Sequence, residues 1–351
     1  MQQLIVYFKQ KPTRVFFALI WLVLVGAVLY GVGWEAAGAE IFTTLVHDPD
    51  HRMHAEDKHF SGLNSDNIRS EHEPSQIKDS DFNILFLGDS FVYGFLMSPE
   101  LSPPVQLENL LRERYHRTDI NVINFGWTSS SPILDFRLLK DIGVKYKPDL
   151  ILLALDMSDY RDEWFYKSVL ERRGFYQFVV SYPRTSFWIK TFLEWLAPVV
   201  DFHSVLWGYP AHKGGYFVAN QPLEASRPLF DELYSTLLQM DGYIKTSMQV
   251  PFVVFVPPRH WQYTDKEAPG TWEKGSFTTM GSYALENFRY FEEKKPVTPF
   301  PLVLMLDDFK QATEYPLNFK VDSHWNKNGA RFFAERVEAH CEAQGLLNAL
   351  Q

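Results

Sequence analysis

After residue 81, short apolar runs alternate with longer segments that have helical periodicity. Apolar runs bounded by turn-forming residues predict buried strands, and apolar positions at i, i+3 and i+4 predict amphipathic helices. The predicted strands are Asn83–Leu87, Asn121–Asn124, Leu150–Leu155, Phe252–Val256 and Leu302–Leu306. The predicted helices are Ser102–His116, Pro132–Tyr146, Pro228–Met248 and Lys327–Leu347. This alternation predicts a parallel sheet covered by helices on both faces, a three-layer α/β/α domain over residues 82–351.

The N-terminal part has a different pattern, because residues 15–34 contain no charged side chain. A helix of this length crosses a hydrocarbon layer of about 30 Å. Basic residues precede the run and acidic residues follow it. The positive-inside rule therefore predicts that residues 1–14 are cytoplasmic, 15–34 span the bacterial inner membrane once, and the main domain is periplasmic. The alternative is a cleaved signal peptide, since Ala37-Gly38-Ala39 resembles a cleavage site, although the apolar run is longer than in such peptides.

Residues 35–81 are mostly polar and predict a linker or an irregular approach to the domain. Five histidines lie in this segment: His47, His51, His54, His59 and His72. Pairs such as His47 and His51 would suit a divalent metal on a helix, but no apolar periodicity fixes a helix there. The pattern favours a solvated linker, and no metal site is predicted.

A segment rich in aromatic residues, 160–220, is inserted between the third and fourth predicted strands. Its stretch 187–200, FWIKTFLEWLAPVV, predicts a helix that is amphipathic to fully apolar. Such a helix caps the core, covers a pocket, lies in the membrane interface or docks a partner, and the sequence leaves these alternatives open.

Charge and cysteine content narrow the function classes. The chain of 351 residues has a net charge of -9 and no concentrated basic face, which argues against nucleic acid as a partner. Cys341 is the single cysteine, so the chain has no internal disulfide. This leaves the redox compartment open.

Polar residues follow the predicted strands, at the edge where open parallel sheets bind ligands. Gly88-Asp89-Ser90 follows the first strand and Gly126 follows the second, while Asp156, Ser158, Asp159 and Asp162 follow the third. Ser90 is a candidate nucleophile, or only the cap of the next helix. Backbone amides at that helix start can hold an oxyanion. Gly126 either lets the backbone approach a substrate or forms a structural turn.

Asp322 and His324 lie in a short loop before the last predicted helix. Serine chemistry needs a base within hydrogen-bond reach and a third group that fixes the tautomer of the base. At positions i and i+2 of a bent loop, a carboxylate can turn back onto an imidazole. Taken alone this pattern is typical of a cap and a surface histidine, but together with the Gly-Asp-Ser sequence it predicts a triad of Ser90, His324 and Asp322.

These blocks resemble the SGNH (GDSL-type) hydrolase superfamily over residues 82–347, the last block being Asp322-Ser323-His324-Trp325-Asn326. The resemblance implies a flavodoxin-like sheet, with Ser90 attacking an ester carbonyl, His324 as general base and Asp322 orienting it. It also implies an oxyanion hole formed by the amides of Ser90 and Gly126 with Ser158. Substrate contacts are expected at Asp89, Asp159, Trp325 and Asn326. No cofactor or metal is implied.

The chain departs from the family pattern in two places. Its last block is Asp-x-His-Trp-Asn instead of Asp-x-x-His, which is similar to the membrane-anchored, alginate-type branch that O-acetylates extracellular polysaccharides. The asparagine of the third block is absent, with Ser158 or a carboxylate near its place. Loss of one side-chain donor from an oxyanion hole costs about 3 kcal/mol of transition-state stabilisation.

Together these features predict extracytoplasmic transfer of an acyl group, most simply O-acetyl, to a cell-envelope or extracellular glycan through an acyl-Ser90 intermediate. A membrane tether favours an acyl donor that is itself a membrane-embedded protein, because confinement raises the effective donor concentration. A simple esterase or deacetylase is one alternative. The other is a non-catalytic assembly or scaffold subunit of a membrane complex that uses the aromatic insertion as an interface.

Overall fold

The computed structural model describes residues 20–22, 62–128, 130–171, 221–267, 282–320 and 322–351. All strands and nearly all described helices belong to one structural unit within residues 50–167 and 212–351. The predicted membrane-spanning helix at 15–34 lies outside the described residues except for 20–22, which are helical. Stretch 187–200 and four of the five clustered histidines also lie outside them. No helix in the ranges given above is both long and apolar enough to cross a membrane.

The sheet comprises five parallel strands within the described part of the chain. They are β1 (Phe82–Gly88), β2 (Ile120–Gly126), β3 (Leu150–Ala154), β4 (Phe252–Val256) and β5 (Leu302–Leu304). Their order is β2-β1-β3-β4-β5, the flavodoxin-like order. The predicted parallel α/β sheet is confirmed, and each predicted strand agrees with an observed one to within a few residues.

The register of the sheet places the ends of three strands at one level. Gly88 at the end of β1 pairs with Gly126 of β2 on one side and with Ala154 of β3 on the other. The strand order changes direction between β1 and β3, so the loops that follow these two strands leave toward opposite faces. A crevice therefore opens at this point, between Ser90 and the acidic loop after β3.

Nine α-helices accompany the sheet within the described ranges. They are α1 (Ser90–Tyr93), α2 (Pro103–Tyr115), α3 (Pro132–Ile142), α4 (Asp159–Glu171), α5 (Leu223–Tyr243), α6 (His260–Tyr263), α7 (Glu286–Lys294), α8 (Leu306–Lys310) and α9 (Lys327–Ala343). A π-helical turn, Ile244–Met248, extends α5, and 3₁₀ turns lie at Pro74–Gln76, Pro99–Leu101, Gly143–Tyr146, Lys295–Val297 and Asn348–Leu350.

The four predicted helices are present with shifted ends. The helix predicted to start at Pro228 begins at Leu223, so this proline lies inside α5 and was misread as a helix start. The helix predicted over 132–146 ends at Ile142 and tightens into a 3₁₀ turn. The last helix stops at Ala343, because the chain turns at Gly345, whose φ of 71° favours glycine.

Alternate residues of the strands pack against helices on opposite faces of the sheet. Ile84 and Phe86 face a core that includes Leu111 of α2 and Phe333 of α9, and α2 packs on α9. The intervening residues of β1 are equally buried, and α3, which contacts β1 and β2, packs on α5 on the other side. This confirms the three-layer arrangement, which the period of two in a strand produces.

Residues 62–81 pack on the domain as an irregular segment, which fits the predicted alternative of an irregular approach and not a solvated linker for this part of 35–81. Arg69 is buried and donates to the carbonyls of Tyr93 (2.9 Å) and Gly94 (2.7 Å) at the end of α1. The Tyr93 carbonyl also accepts from the Asn124 side chain, and the Gly94 carbonyl accepts from the Met97 amide, so the guanidinium adds a further donor to each at the end of α1. His72 Nε2 lies 2.5 Å from Glu108 Oε2, and no group of three or more potential metal ligands occurs among the described residues.

Glu163 of α4 connects three helices and makes stability dependent on pH. It is fully buried and accepts hydrogen bonds from the amide of Ile133 (2.8 Å) in α3 and from Thr236 of α5. Burial raises the pKa of Glu163 from 4.5 to about 7. The folded state therefore holds a proton that the unfolded chain has released between these pH values, so the contribution of Glu163 to stability is largest below pH 4.5 and is lost as pH rises toward 7.

We expect Glu163→Gln to gain stability relative to the wild type by about 3 kcal/mol between pH 4.5 and 7. Glutamine keeps the size and an acceptor oxygen, so the variant removes the titration with little change in packing. Urea unfolding of both proteins at several pH values measures this difference. A difference that stays constant across the range would contradict the assignment.

Candidate active site

Ser90 is held at the carboxyl end of β1 by a sharp turn. Gly88 has a φ of 152°, and a Cβ there would lie 2.5 Å from a methyl of Val92 and 2.9 Å from the Ala154 carbonyl. Asp89 caps α1 by accepting from the Phe91 amide at 2.8 Å. Ser90 is therefore the first residue of α1 and not its cap, which leaves its half-buried hydroxyl available for other contacts.

The loop that carries His324 folds back on itself just before α9. The Phe319 amide donates to the His324 carbonyl at 3.0 Å, and the Asn326 amide donates to the Leu317 carbonyl at 2.9 Å. Within this hairpin the amide of His324 donates to Asp322 Oδ1 at 2.8 Å. The same oxygen contacts Nδ1 of the His324 ring. The carboxylate thus turns back onto the imidazole two residues later.

The two loops meet at the crevice. Ser90 Oγ lies 2.7 Å from His324 Nε2, across 234 positions of sequence. Because Asp322 accepts from Nδ1–H, Nε2 is left as the acceptor for the serine proton. The structure therefore brings Ser90, His324 and Asp322 together in the order that a serine nucleophile requires. Phe91 stacks on the imidazole at 4.8 Å between ring centres, and Phe95 contacts it at 4.9 Å.

The predicted oxyanion donors are placed differently. The amide of Ser90 is at the start of α1 and donates to no acceptor within the described part of the chain. The amide of Gly126, in contrast, donates to the side chain of Asn124 at 2.9 Å. Gly126 is the last residue of β2, the outermost strand, so its amide lies at the carboxyl end of that strand. The assignment of Gly126 to the oxyanion hole does not hold in this arrangement.

Ser158 is also engaged elsewhere, which corrects its assignment as a third oxyanion donor. Its hydroxyl donates to Asp156 Oδ2 at 2.6 Å, and its amide donates to the same oxygen at 2.8 Å. A serine two residues after an aspartate readily closes such a local turn. Its hydroxyl proton therefore points to the carboxylate and away from a reacting carbonyl.

The four residues predicted to contact substrate have structural roles. Asp89 and Asp159 are 3% and 2% exposed, and Asp159 Oδ2 accepts from the Asp156 amide at 2.8 Å. Trp325 is 3% exposed and packs on Phe333 in the core. Asn326 caps α9 by accepting from the amides of Asn328 and Gly329. Sequence reasoning placed them at the correct edge of the sheet but could not distinguish buried caps from exposed ligands.

Three buried carboxyl groups lie beneath Ser90. Burial, with the neighbouring charge of Asp156, raises the pKa of Asp89 to about 8. Burial, with the neighbouring charges of Asp89 and Asp156, raises the pKa of Asp159 well above its ordinary value. Burial also opposes ionisation of Asp156, but the guanidinium of Arg259 lowers its pKa below the usual range. The Arg259–Asp156 pair is therefore ionised at neutral pH, while the raised pKa values of Asp89 and Asp159 favour their protonated forms. No uncompensated negative charge from these three groups opposes an oxyanion at Ser90.

Arg259 is the site residue that sequence reasoning missed. It follows the carboxyl end of β4, is 5% exposed, and pairs with Asp156 Oδ2 at 2.6 Å. Its position beyond a predicted strand was a usable signal, because ligand-binding and catalytic groups gather at that edge of a parallel sheet. An arginine close to several aspartates is also a frequent solution for buried carboxylates.

Gly126 packs against the helix that carries Ser90. A Cβ at this position would lie 2.2 Å from the Tyr93 amide nitrogen and 2.7 Å from the Val92 carbonyl carbon. These are backbone atoms of α1, so they cannot move aside without displacing the helix. Glycine at 126 therefore serves the close approach of β2 and α1.

We expect Gly126→Ala to lower the free energy of unfolding by about 3 kcal/mol, the upper end of the usual cost of overpacking. Gly242→Ala is the matched control, because a Cβ there has nothing within 4 Å. That change is expected to be neutral or to stabilise helix α5 by up to about 1 kcal/mol. Urea unfolding of both variants measures the contrast, and equal effects would contradict the packing role.

Comparisons with known proteins give only distant likenesses. No family model matches the chain, and no curated protein matches its sequence. Among solved structures, the chain is similar to an acetyl xylan esterase, with 10% identity over 74% of this chain and 99% of the other and a TM-score of 0.40.

Two further likenesses are of the same order. A carbohydrate acetylesterase family member from Sinorhizobium meliloti is 11% identical over 76% of this chain and 99% of its own, with a TM-score of 0.41. A member of the lipolytic G-D-S-L family from Veillonella parvula is 10% identical over 74% and 97%, with a TM-score of 0.39. At identities this low, the chemistry of this chain rests on its own side chains.

Proposed function

We propose that this protein is a serine-dependent acyl-transfer enzyme, in which Ser90 is the nucleophile, His324 the general base and Asp322 the residue that orients it. One observation carries the proposal: Ser90 Oγ lies 2.7 Å from His324 Nε2, while Asp322 holds the other ring nitrogen. A hydroxyl in this setting loses its proton to the imidazole as it attacks.

The first half of the reaction acylates the serine. Ser90 Oγ attacks the ester carbonyl carbon while its proton moves to His324 Nε2, and Asp322 stabilises the imidazolium that forms. The tetrahedral intermediate then collapses, the bond to the leaving alcohol breaks, and His324 returns the proton to the leaving oxygen. Acyl-Ser90 and a free alcohol result.

The second half transfers the acyl group to an acceptor hydroxyl. The acceptor gives its proton to His324 and attacks the acyl carbonyl carbon. The bond from that carbon to Ser90 Oγ then breaks, and His324 returns the proton to Oγ. Water as acceptor gives an esterase or deacetylase, and a sugar hydroxyl gives an O-acetyltransferase. The nucleophile chemistry is identical, so the acceptor that reaches the acyl group first decides the outcome.

Within this chemistry we favour O-acetyl transfer to a cell-envelope or extracellular glycan. Support comes from the sequence: the uncharged run 15–34 indicates a tether to the inner membrane with the domain in the periplasm, and the Asp-x-His-Trp-Asn block resembles polysaccharide O-acetyltransferases. A tethered domain suits a membrane-embedded partner that delivers the acetyl group.

The functional test uses the full-length protein with p-nitrophenyl acetate as donor. A fluorophosphonate probe is expected to label the protein and to stop release of p-nitrophenol. Adding acetyl-free glycans should then speed this release and place acetyl on the sugar, which mass spectrometry detects. Release that yields only acetate, whatever glycan is added, would identify an esterase instead.

A non-catalytic assembly subunit is the second candidate. The observation that favours it is the engagement of the Gly126 amide and the Ser158 hydroxyl by Asn124 and Asp156, which leaves fewer oxyanion donors. Each missing donor costs roughly a factor of 10² to 10³ in rate. A wild-type protein that neither reacts with the fluorophosphonate nor releases p-nitrophenol would support this candidate and overturn the enzyme.

A further inference from the structure

Arg259 contacts residues that adjoin both halves of the candidate triad. One of its nitrogens, Nη1, donates to Ser323 Oγ at 2.8 Å, and the other, Nη2, pairs with Asp156 Oδ2 at 2.6 Å. The centre of the guanidinium also lies 4.3 Å from the ring centre of Phe91. A single buried cation is thus shared by the histidine loop, the loop after β3 and the serine helix.

The contact with Ser323 acts on the histidine loop. Ser323 is 1% exposed and stands between Asp322 and His324, the two residues whose mutual geometry fixes the tautomer. Its carbonyl accepts from the side chain of Asn318, which fixes the other side of the same residue. Ser323 is therefore anchored at both its side chain and its backbone, and Arg259 supplies the side-chain anchor.

The contact with Phe91 acts on the serine helix. Phe91 immediately follows Ser90, and its ring stacks on the His324 imidazole at 4.8 Å. The guanidinium lies over this ring, where a cation is attracted by the π electrons. The Arg259 guanidinium therefore contacts the same aromatic ring that stacks on the His324 imidazole.

We propose that Arg259 is a positioning residue that holds the Ser90 hydroxyl and the His324 imidazole at reacting distance, through Phe91 on one side and Ser323 on the other. The proposal rests on the proposed function and adds to it Arg259, a residue that was not among the site residues predicted from the sequence. The cavity bordered by Arg259, Asp89, Asp156 and Trp325 is only about 10 Å³, enough for about one water.

An arginine is the side chain that can make these contacts together. Its planar guanidinium presents nitrogens in a fixed fork and stacks on an aromatic face, whereas a lysine ammonium is a single point charge. Lysine at 259 would keep the charge near Asp156 but lose the simultaneous bond to Ser323. The Arg259→Lys change therefore separates geometry from charge.

We expect Arg259→Lys to lower kcat for p-nitrophenyl acetate roughly 10-fold to 100-fold, the usual effect of misplacing reacting groups by about 1 Å. KM should change less than about twofold, because the residue does not bind substrate. Arg112→Lys is the matched control. Arg112 pairs with Glu108 at 2.7 Å and donates to the Ile120 carbonyl at 2.8 Å, at the opposite edge of the sheet. The Arg112→Lys variant is expected to alter the melting temperature while leaving kcat unchanged.

Ser323→Ala tests the route through the histidine loop. It should lower kcat in the same direction, and the double variant with Arg259→Lys should lose less than the product of the two single effects. Multiplicative losses, or an Arg259→Lys protein with wild-type kcat, would overturn the positioning role while leaving the proposed function intact.

A spectroscopic readout does not depend on turnover. The ring proton shared by His324 and Asp322 should resonate at low field in the ¹H NMR spectrum of the wild type and disappear in Asp322→Asn. In Arg259→Lys we expect this signal to shift or broaden, and in Arg112→Lys to stay. An unchanged signal in Arg259→Lys would contradict the positioning role of Arg259. This outcome is separate from a lack of catalysis in the wild type, which would count against the proposed function.

Discussion

Ser90→Ala is expected to abolish fluorophosphonate labelling and to lower kcat for p-nitrophenyl acetate by at least roughly 10³-fold. The reason is that Ser90 Oγ lies 2.7 Å from His324 Nε2, and no other described side chain is a partner of that nitrogen. Asp89 caps α1, so the change removes no helix cap. The variant should therefore fold and melt close to the wild type.

The matched control is Ser102→Ala. Ser102 is a buried serine, 1% exposed, whose hydroxyl donates to the Pro99 carbonyl at 2.8 Å before α2. Its loss removes one buried hydrogen bond, worth about 1 kcal/mol, without touching the triad. We expect full labelling and unchanged kcat for this variant. Labelling that persists in Ser90→Ala would show that another residue is the nucleophile and would reject the triad.

Asp322→Asn is the second large effect, with an expected loss of about 10³-fold to 10⁴-fold in kcat. An amide in place of the carboxylate presents its NH₂ or a weaker acceptor to Nδ1, which favours the tautomer with the proton on Nε2. That tautomer cannot accept the proton of Ser90. Because Oδ1 accepts from both the His324 amide and Nδ1, an NH₂ group turned toward the ring loses the bond from the His324 amide, and we expect the melting temperature to fall slightly.

The chain offers a second aspartate–histidine pair as the control. Asp308 Oδ2 lies 2.9 Å from His340 Nε2, between α8 and α9. Asp308→Asn makes the same chemical change in a half-exposed pair that does not contact Ser90. We expect its kcat to match the wild type. If instead Asp322→Asn retains activity within about tenfold, then Asp322 does not fix the imidazole and the mechanism needs another orienting group.

Much of the site could be predicted because its parts are local. The Gly88-Asp89-Ser90 turn is fixed by Asp89, which accepts a hydrogen bond from the Phe91 amide. The Asp322-Ser323-His324 turn is fixed by Asp322, which accepts from the His324 amide. The edge at which Ser90 lies followed from the rule that loops after parallel strands share one edge. The Asp322–His324 loop follows α8 and not a strand, so its approach to Ser90 rested on the residue types and the family resemblance. The apolar strand runs placed that edge correctly.

The errors concern polar groups whose partners are distant in sequence. The Arg69 side chain reaches the end of α1, and Arg259 reaches Asp156 across 103 positions. Nothing in the local pattern around either arginine indicates these partners. For the same reason, the sequence did not show that Asp159 is buried.

The strand and helix pattern, the parallel sheet and the three residue types of the triad could be predicted from the amino-acid sequence, since hydrophobic periodicity and short turns are encoded within a few positions. Which amides and hydroxyls stay available depends on tertiary packing. It engaged the Gly126 amide and the Ser158 hydroxyl, and it packed residues 62–81 onto the domain. The physical reason is that a buried polar group must find a partner, and which partner it finds depends on how the whole chain is packed.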